Sequence, residues 1–298
     1  VQDPALAVRL VHVVIRASED AGSSVRKSAI KILRDCCLIM PEERSDKIIE
    51  SYKAILNRSG DSEESIKSFV LKTFRSLWFD VVPEGDDVLV QRSPQDRSKS
   101  LAKLATAIVG SVSSGSGCRA LIDSSNPLIA LIREIREADK QGTASALLDL
   151  FIYGDRGTGG TTRGPSRAEV GAGARGRSEE SRGEPSVDVD GARGLSYLHA
   201  IYAMALANPA SCIPDHDPLK FLRTLAPHVK DNPQAEMQTK EEARESAEET
   251  LYILGITSEI LNSMEQRSTI TVNLATDISE ELPNIINKHK FTAVVSAA

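Results

Sequence analysis

Apolar residues recur at three- and four-residue intervals through most of the chain, the spacing that lines one face of an α-helix. Val25, Ala29, Ile32, Leu33, Cys36 and Met40 make one such stripe, and Ile66, Phe69, Val70, Thr73, Phe74 and Leu77 make a second. Between them the pattern predicts a helix from Glu42 to Leu56, with Ile48, Ile49, Tyr52, Ile55 and Leu56 turned inward. Another is expected upstream, from Ala5 to Ala17. Further amphipathic helices are expected over Ser98–Gly110, Leu128–Tyr153, Leu195–Ala207, Pro218–Leu225, Lys240–Met264 and Thr269–Asn287. Pro209, Pro214, Pro218, Pro227 and Pro233 punctuate the later ones. The acidic pairs Glu241–Glu242 and Glu248–Glu249 suit an early helical turn and a solvated helix face.

Two of the stripes belong to a near repeat. The run Ser24 to Leu33 aligns with Ser65 to Phe74, an offset of 41 residues. That lies within the roughly 40–47-residue period of HEAT-type helix pairs. Each copy follows an acidic turn, Glu19-Asp20-Ala21-Gly22 in one and Gly60-Asp61-Ser62-Glu63 in the other, whose Asp and Ser can cap the next helix. One helix pair cannot bury both of its apolar stripes, so such units stack into an array. The fold expected is therefore all-α: a HEAT-type α-solenoid of antiparallel helix pairs.

Residues 154–194 break the pattern. They are rich in Gly, Arg, Ser and acid, and almost empty of large apolar side chains. Burial there cannot offset the entropy of ordering the chain, which predicts a disordered insertion between helical parts at 1–153 and 195–298. Composition sharpens the rest. Aromatic residues are only 4% of the 298, and Leu, Ile, Ala, Ser, Glu and Lys dominate, a mix that favours helix over sheet. The net charge of −6 means that any contact with nucleic acid must come from a local patch. Cys36, Cys37, Cys118 and Cys212 form neither zinc-ligand spacing nor a disulfide framework, which implies a reducing compartment. No apolar run reaches the ~18 residues of a membrane span. The chain opens at Val1 without an initiator Met and within helical pattern, as expected of a portion of something longer.

Few residues invite chemistry. Lys27, Lys31 and Arg34 stand at i, i+4 and i+7, read as opposite the apolar stripe, with Lys67, Lys72 and Arg75 on the matching outer face of the next unit. Such rows can track a phosphate backbone by releasing its counterions, or can be ordinary solvated faces. Arg26, at a helix start, is expected to pair with Asp20 or with an Asp of the neighbouring unit and so to fix stacking. Trp78, at a helix end, is expected in the core rather than as a binding platform. Asp215-His216-Asp217 lies in a loop between Pro214 and Pro218 and lacks a companion ligand, since His12, His199, His228 and His289 are scattered. Gly157-Thr158-Gly159-Gly160 is no phosphate loop, because no Lys-Ser/Thr follows. No catalytic constellation stands out, and neither metal nor cofactor is expected.

The segment Val25 to Phe79 resembles the HEAT region of the cohesin-loading family called Nipped-B or adherin. The residues that carry the likeness are Ser24-Val25-Arg26-Lys27, Ile30-Lys31-Ile32-Leu33-Arg34-Asp35-Cys36, Ile66-Lys67 after Asp61, and Thr73-Phe74-Arg75-Ser76-Leu77-Trp78-Phe79. Tyr197–Asn208, Leu251–Leu261 and Leu282–Phe291 are compatible with later repeats, whereas the Gly/Arg insertion departs from the family pattern. The resemblance implies a non-enzymatic scaffold in the nucleus, on chromatin. Such a scaffold contacts DNA without sequence preference and engages the cohesin SMC–kleisin subunits, whose own ATPase drives loading. It also implies a loader partner subunit held elsewhere on a longer chain. A generic helical-repeat adaptor, such as a transport receptor or phosphatase scaffold, is the competing expectation, and it should show little affinity for DNA.

Overall fold

The computed structural model describes residues 4–40, 45–79, 93–111, 122, 124–135, 137–153, 191–215, 217–229, 239–264 and 283. Among them there is no strand, and the chain is all-α. The described residues form ten α-helices in order: α1 Pro4–Ala17, α2 Ser23–Ile39, α3 Ser45–Asn57, α4 Glu64–Phe74, α5 Pro94–Ser111, α6 Pro127–Arg133, α7 Glu137–Tyr153, α8 Gly191–Ala207, α9 Lys220–Leu225 and α10 Lys240–Ser263.

The repeat seen in the sequence is also a repeat of local geometry. The starts of α1 and α3, Pro4 and Ser45, and the starts of α2 and α4, Ser23 and Glu64, are each 41 residues apart. The turns before α2 and α4 match as well. Asp20 Oδ1 accepts from the Gly22 amide at 2.7 Å, and Asp61 Oδ1 accepts from the Glu63 amide at 3.0 Å. Both are Asx turns, in which a short carboxylate satisfies a backbone N–H two residues on. The expected side-chain caps are absent: the N-cap residues are Gly22 and Glu63, neither with a side-chain bond. Buried positions recur with the same offset. Ala7, Val11, Ala29, Leu33, Cys36 and Cys37 correspond to Ile48, Tyr52, Val70, Phe74, Leu77 and Trp78. α1 packs on α2 and α3, and α2 on α3 and α4, so the two helix pairs lie side by side.

In the second unit the predicted stripe is the observed one, with Ile66, Val70, Thr73 and Phe74 buried and Phe69 half-buried. In the first it is rotated. Val25 and Ile32, expected inward, are exposed, and Arg26, Ile30 and Cys37 take the inner positions. α4 runs into a π-helical turn, Arg75–Phe79, which buries Leu77, Trp78 and Phe79 together. Trp78 is in the core as expected. It stacks on Phe74 at 4.3 Å and meets Tyr52 of α3 edge-on at 5.6 Å, and its carbonyl accepts from Thr143 of α7.

The later helices centre on α8, which packs against α5, α6, α7 and α10. It begins at Gly191, ahead of the expected Leu195. The single stretch expected over Leu128–Tyr153 is two helices, α6 and α7, with Glu134 and Ile135 between them. Thr239 and Glu242 open α10 with reciprocal capping-box bonds. The rest of the insertion assigned to 154–194, the helix expected over Thr269–Asn287 and the repeat expected over Leu282–Phe291 lie outside the described residues, Pro283 apart.

Candidate nucleic-acid interface

The six cations read from the sequence do not form two continuous outward rows. On α2, Lys31 is exposed and Lys27 half-buried, but Arg34 is buried, only 8% exposed. Its Nε and Nη2 reach Asp35 Oδ1 at 3.0 and 2.8 Å. The expectation that Arg34 lines an outer face is therefore corrected, and helix geometry gives the reason. Lys27 and Arg34 are seven residues apart, nearly two full turns, so they lie almost above one another, about 100–120° round from the buried stripe. Lys31 is the member of the row that turns fully away. On α4, Lys67 is half-buried and its Nζ lies 3.2 Å from Glu64 Oε2. Lys72 is exposed, and Arg75 is half-buried in the π-helical turn.

What remains is simpler. Lys31 and Lys72 are exposed, have no ion-pair partner among the described residues, and sit at equivalent positions 41 residues apart on the adjacent helices α2 and α4. Arg34 and Arg75 are equivalent in the same way, but both are at least half-buried.

Arg26 has the linking role expected of it, with a twist in its partners. Its Nη2 donates to Asp61 Oδ1 at 2.9 Å, across the two units, and both groups are buried. Its Nη1 donates to the backbone carbonyls of Asp20 and Ala21 at 2.9 and 2.8 Å. Asp20 thus supplies a carbonyl, while its carboxylate closes its own turn. Burial pushes the Asp61 carboxyl up, but the Glu63 amide and the Arg26 and Arg58 guanidiniums outweigh it. The carboxyl ends below its ordinary value.

One polar cluster escaped the sequence reading. His199 of α8 is fully buried. Its Nδ1 lies 3.0 Å from Thr106 Oγ1 of α5, and its Nε2 lies 3.2 Å from Glu248 Oε1 of α10. The ring meets Tyr252 edge-on at 4.5 Å. Nε2–H can donate to the Glu248 carboxylate, while the hydroxyl of Thr106 lies within hydrogen-bond distance of Nδ1. Glu248, expected on a solvated face, is buried as the third partner. The row ties three helices together beneath a cleft of about 200 Å³ lined by Thr106, Leu195, Ser196, His199, Glu241, Arg244, Glu245 and Glu248. A histidine inside the apolar run Tyr197–Ala207 was the available signal; its partners are too distant in sequence to be read from spacing.

Asp217, in the loop considered for metal binding, pairs with Arg223, while His216 lies outside the described residues. No group of three or more His, Cys, Asp or Glu among the described residues is arranged to hold a metal ion. None of the described helices is long and apolar enough to cross a membrane.

No protein-family model matches the chain. A stretch of 89 residues, 30% of the chain, is 40% identical to the Nipped-B-like proteins of Mus musculus and of Homo sapiens. A stretch of 73 residues, 24% of the chain, is 41% identical to the Nipped-B protein of Drosophila melanogaster. In each case the match spans 3% of the relative's length. Through that stretch the chain is related to the Nipped-B family.

Proposed function

We propose that this chain is part of a cohesin-loader scaffold that works on chromatin in the nucleus, holding DNA beside the SMC–kleisin complex without itself catalysing a reaction. The family relationship supports the cohesin-loading context. The DNA contact rests on one observation: Lys31 and Lys72 repeat at equivalent, exposed positions of two adjacent helices.

Packed helices lie about 8–10 Å apart. Two lysines on such a ladder meet phosphates along one strand at intervals of several ångströms, neutralising the backbone without reading bases. Lys27 and Arg75, half-buried at the margins, add weaker attraction. With two or three phosphates engaged and an overall charge of −6, binding is of the non-specific class, with Kd in the range of roughly 10⁻⁴–10⁻⁶ M.

The test is Lys31→Glu combined with Lys72→Glu, with binding to a fluorescent duplex followed across salt concentration. Affinity should fall for every duplex sequence, and the slope of log K against log salt should shrink by about 2. An unchanged slope and affinity would remove the ladder from the mechanism and favour a peptide-binding adaptor.

A further inference from the structure

Lys31 and Lys72 can share one DNA strand only while α2 and α4 keep a fixed register. Each lysine lies eight residues past the first residue of its helix, Ser23 in α2 and Glu64 in α4. At roughly 1.5 Å per residue, both stand about 12 Å along. Their levelness therefore depends on how the two helix starts are held against each other. The acids beside the ladder are occupied, Asp35 by Arg34 and Glu64 by Lys67. The exposure of Lys31 does not hang on what precedes α1. The α3–α4 pair already carries α1 and α2 against it, and Lys72 stays exposed. A pair packed on α1 and α2 in the same way leaves Lys31 open.

One side chain spans the two starts. Arg26, in the first turn of α2, is buried and reaches three acceptors. Its Nη1 donates to the carbonyls of Asp20 and Ala21 in the turn between α1 and α2, and its Nη2 donates to Asp61 Oδ1, three residues before α4 begins. The same Asp61 oxygen accepts from the amide of Glu63, the N-cap of α4. The pair thus reaches backbone on both sides of the join.

Direction distinguishes this contact from the packing around it. Apolar burial attracts without direction, whereas a guanidinium fork meets a carboxylate in few geometries. Slippage of α4 along α2 by about 3.4 Å is already one phosphate step of a DNA strand. A buried ion pair adds little net stability over an apolar pair of the same volume, and its best-attested use is to set register.

We propose that the Arg26–Asp61 pair is the positioning clamp of the DNA ladder: it touches no phosphate and keeps Lys31 and Lys72 in step on one strand, an inference that rests on those lysines being the DNA contact. The test replaces both members in the whole chain, Arg26→Met with Asp61→Asn. Asn keeps an Oδ1 for the Glu63 amide and Met keeps the apolar stem of Arg, so circular dichroism should show the helices retained. In duplex binding followed across salt concentration, the slope of log K against log salt should shrink by about 1, the loss of one phosphate contact. Lys31→Ala should lower the slope by about 1 in the otherwise unchanged chain and by almost nothing in the clamp variant, where a single lysine already binds alone. A merely structural role would leave the two effects additive. If the double variant loses its helical signal, Arg26→Lys replaces it, keeping the charge but not the fork, and the same loss of slope is expected. A full slope in a folded clamp variant, or additivity with Lys31→Ala, would overturn the clamp while the ladder stood. Failure of the ladder reads differently: Lys31→Glu with Lys72→Glu then keeps the full slope, and the clamp falls with it.

Discussion

Asp61 joins the two helix pairs through its buried ion pair with Arg26. It is buried and takes bonds from the Arg26 guanidinium and the Glu63 amide, with Arg58 3.9 Å away. Removing one member of a buried pair leaves the other charge desolvated and unpaired, a loss of about 3 kcal/mol. Asp61→Ala should therefore lower stability by that order at pH 7, read from urea unfolding. The pH dependence has a definite sign. The folded carboxyl lies below its ordinary value, so its contribution is complete above the unfolded value near 4 and is lost as pH falls through the folded one. The gap between wild type and Asp61→Ala should narrow below about pH 4; a constant gap from pH 7 to pH 3 would show that the charge plays no part. At this scale Arg26 and Trp78 were legible in advance, because a polar head at a helix start and an indole at a helix end have few alternatives. Arg34 and Glu248 were not. Spacing places Arg34 on the flank of its helix rather than the back, but how far a flank residue or Glu248 is buried depends on what a neighbouring segment places over it, which the sequence does not record.

Between elements, α10 passes close to α8 at Gly255. A Cβ at Gly255 would come within 2.8 Å of Tyr202 Cε2, and that ring is buried edge-to-face against Tyr252, with little room to yield. Overpacking costs about 1–3 kcal/mol. The better helix propensity of alanine returns about 1 kcal/mol. Gly255→Ala should thus destabilise by about 1 kcal/mol, and in a Tyr202→Val background the same change should become neutral or stabilising. A double-mutant cycle in thermal unfolding measures that coupling, and simple additivity would place the crossing elsewhere. Elements themselves were readable where the apolar period was clean, as in α3 and α4. The period failed in α2, where Val25 and Ile32 fit a stripe that lies one residue away from the buried one. It also ran straight through Glu134 and Ile135, because the break between α6 and α7 carries neither Gly nor Pro to announce it.

Across the whole molecule, packing is uneven. α8 is enclosed by α5, α6, α7 and α10, whereas α1 packs on α2 and α3 and leaves an apolar side open. Local opening free energies follow such differences in enclosure. Amide exchange in α8 should track global unfolding, so that Met204→Ala, at a fully buried site, accelerates exchange across the helices packed around it. Val11→Ala should accelerate α1 while leaving α8 protected, and uniform acceleration by both variants would contradict this gradient. None of it was visible in the linear pattern, since the partners of His199 come from α5 and α10, 93 and 49 residues away. The 41-residue period, in contrast, governs turns, helix starts and buried positions at once. Gain or loss of one whole period keeps every side chain opposite the kind of neighbour it had. An insertion of one or two residues inside a helix would instead swing everything after it by about 100° per residue. A chain built this way lengthens safely only in fixed steps, and duplication of a complete unit is the mildest change of size open to it.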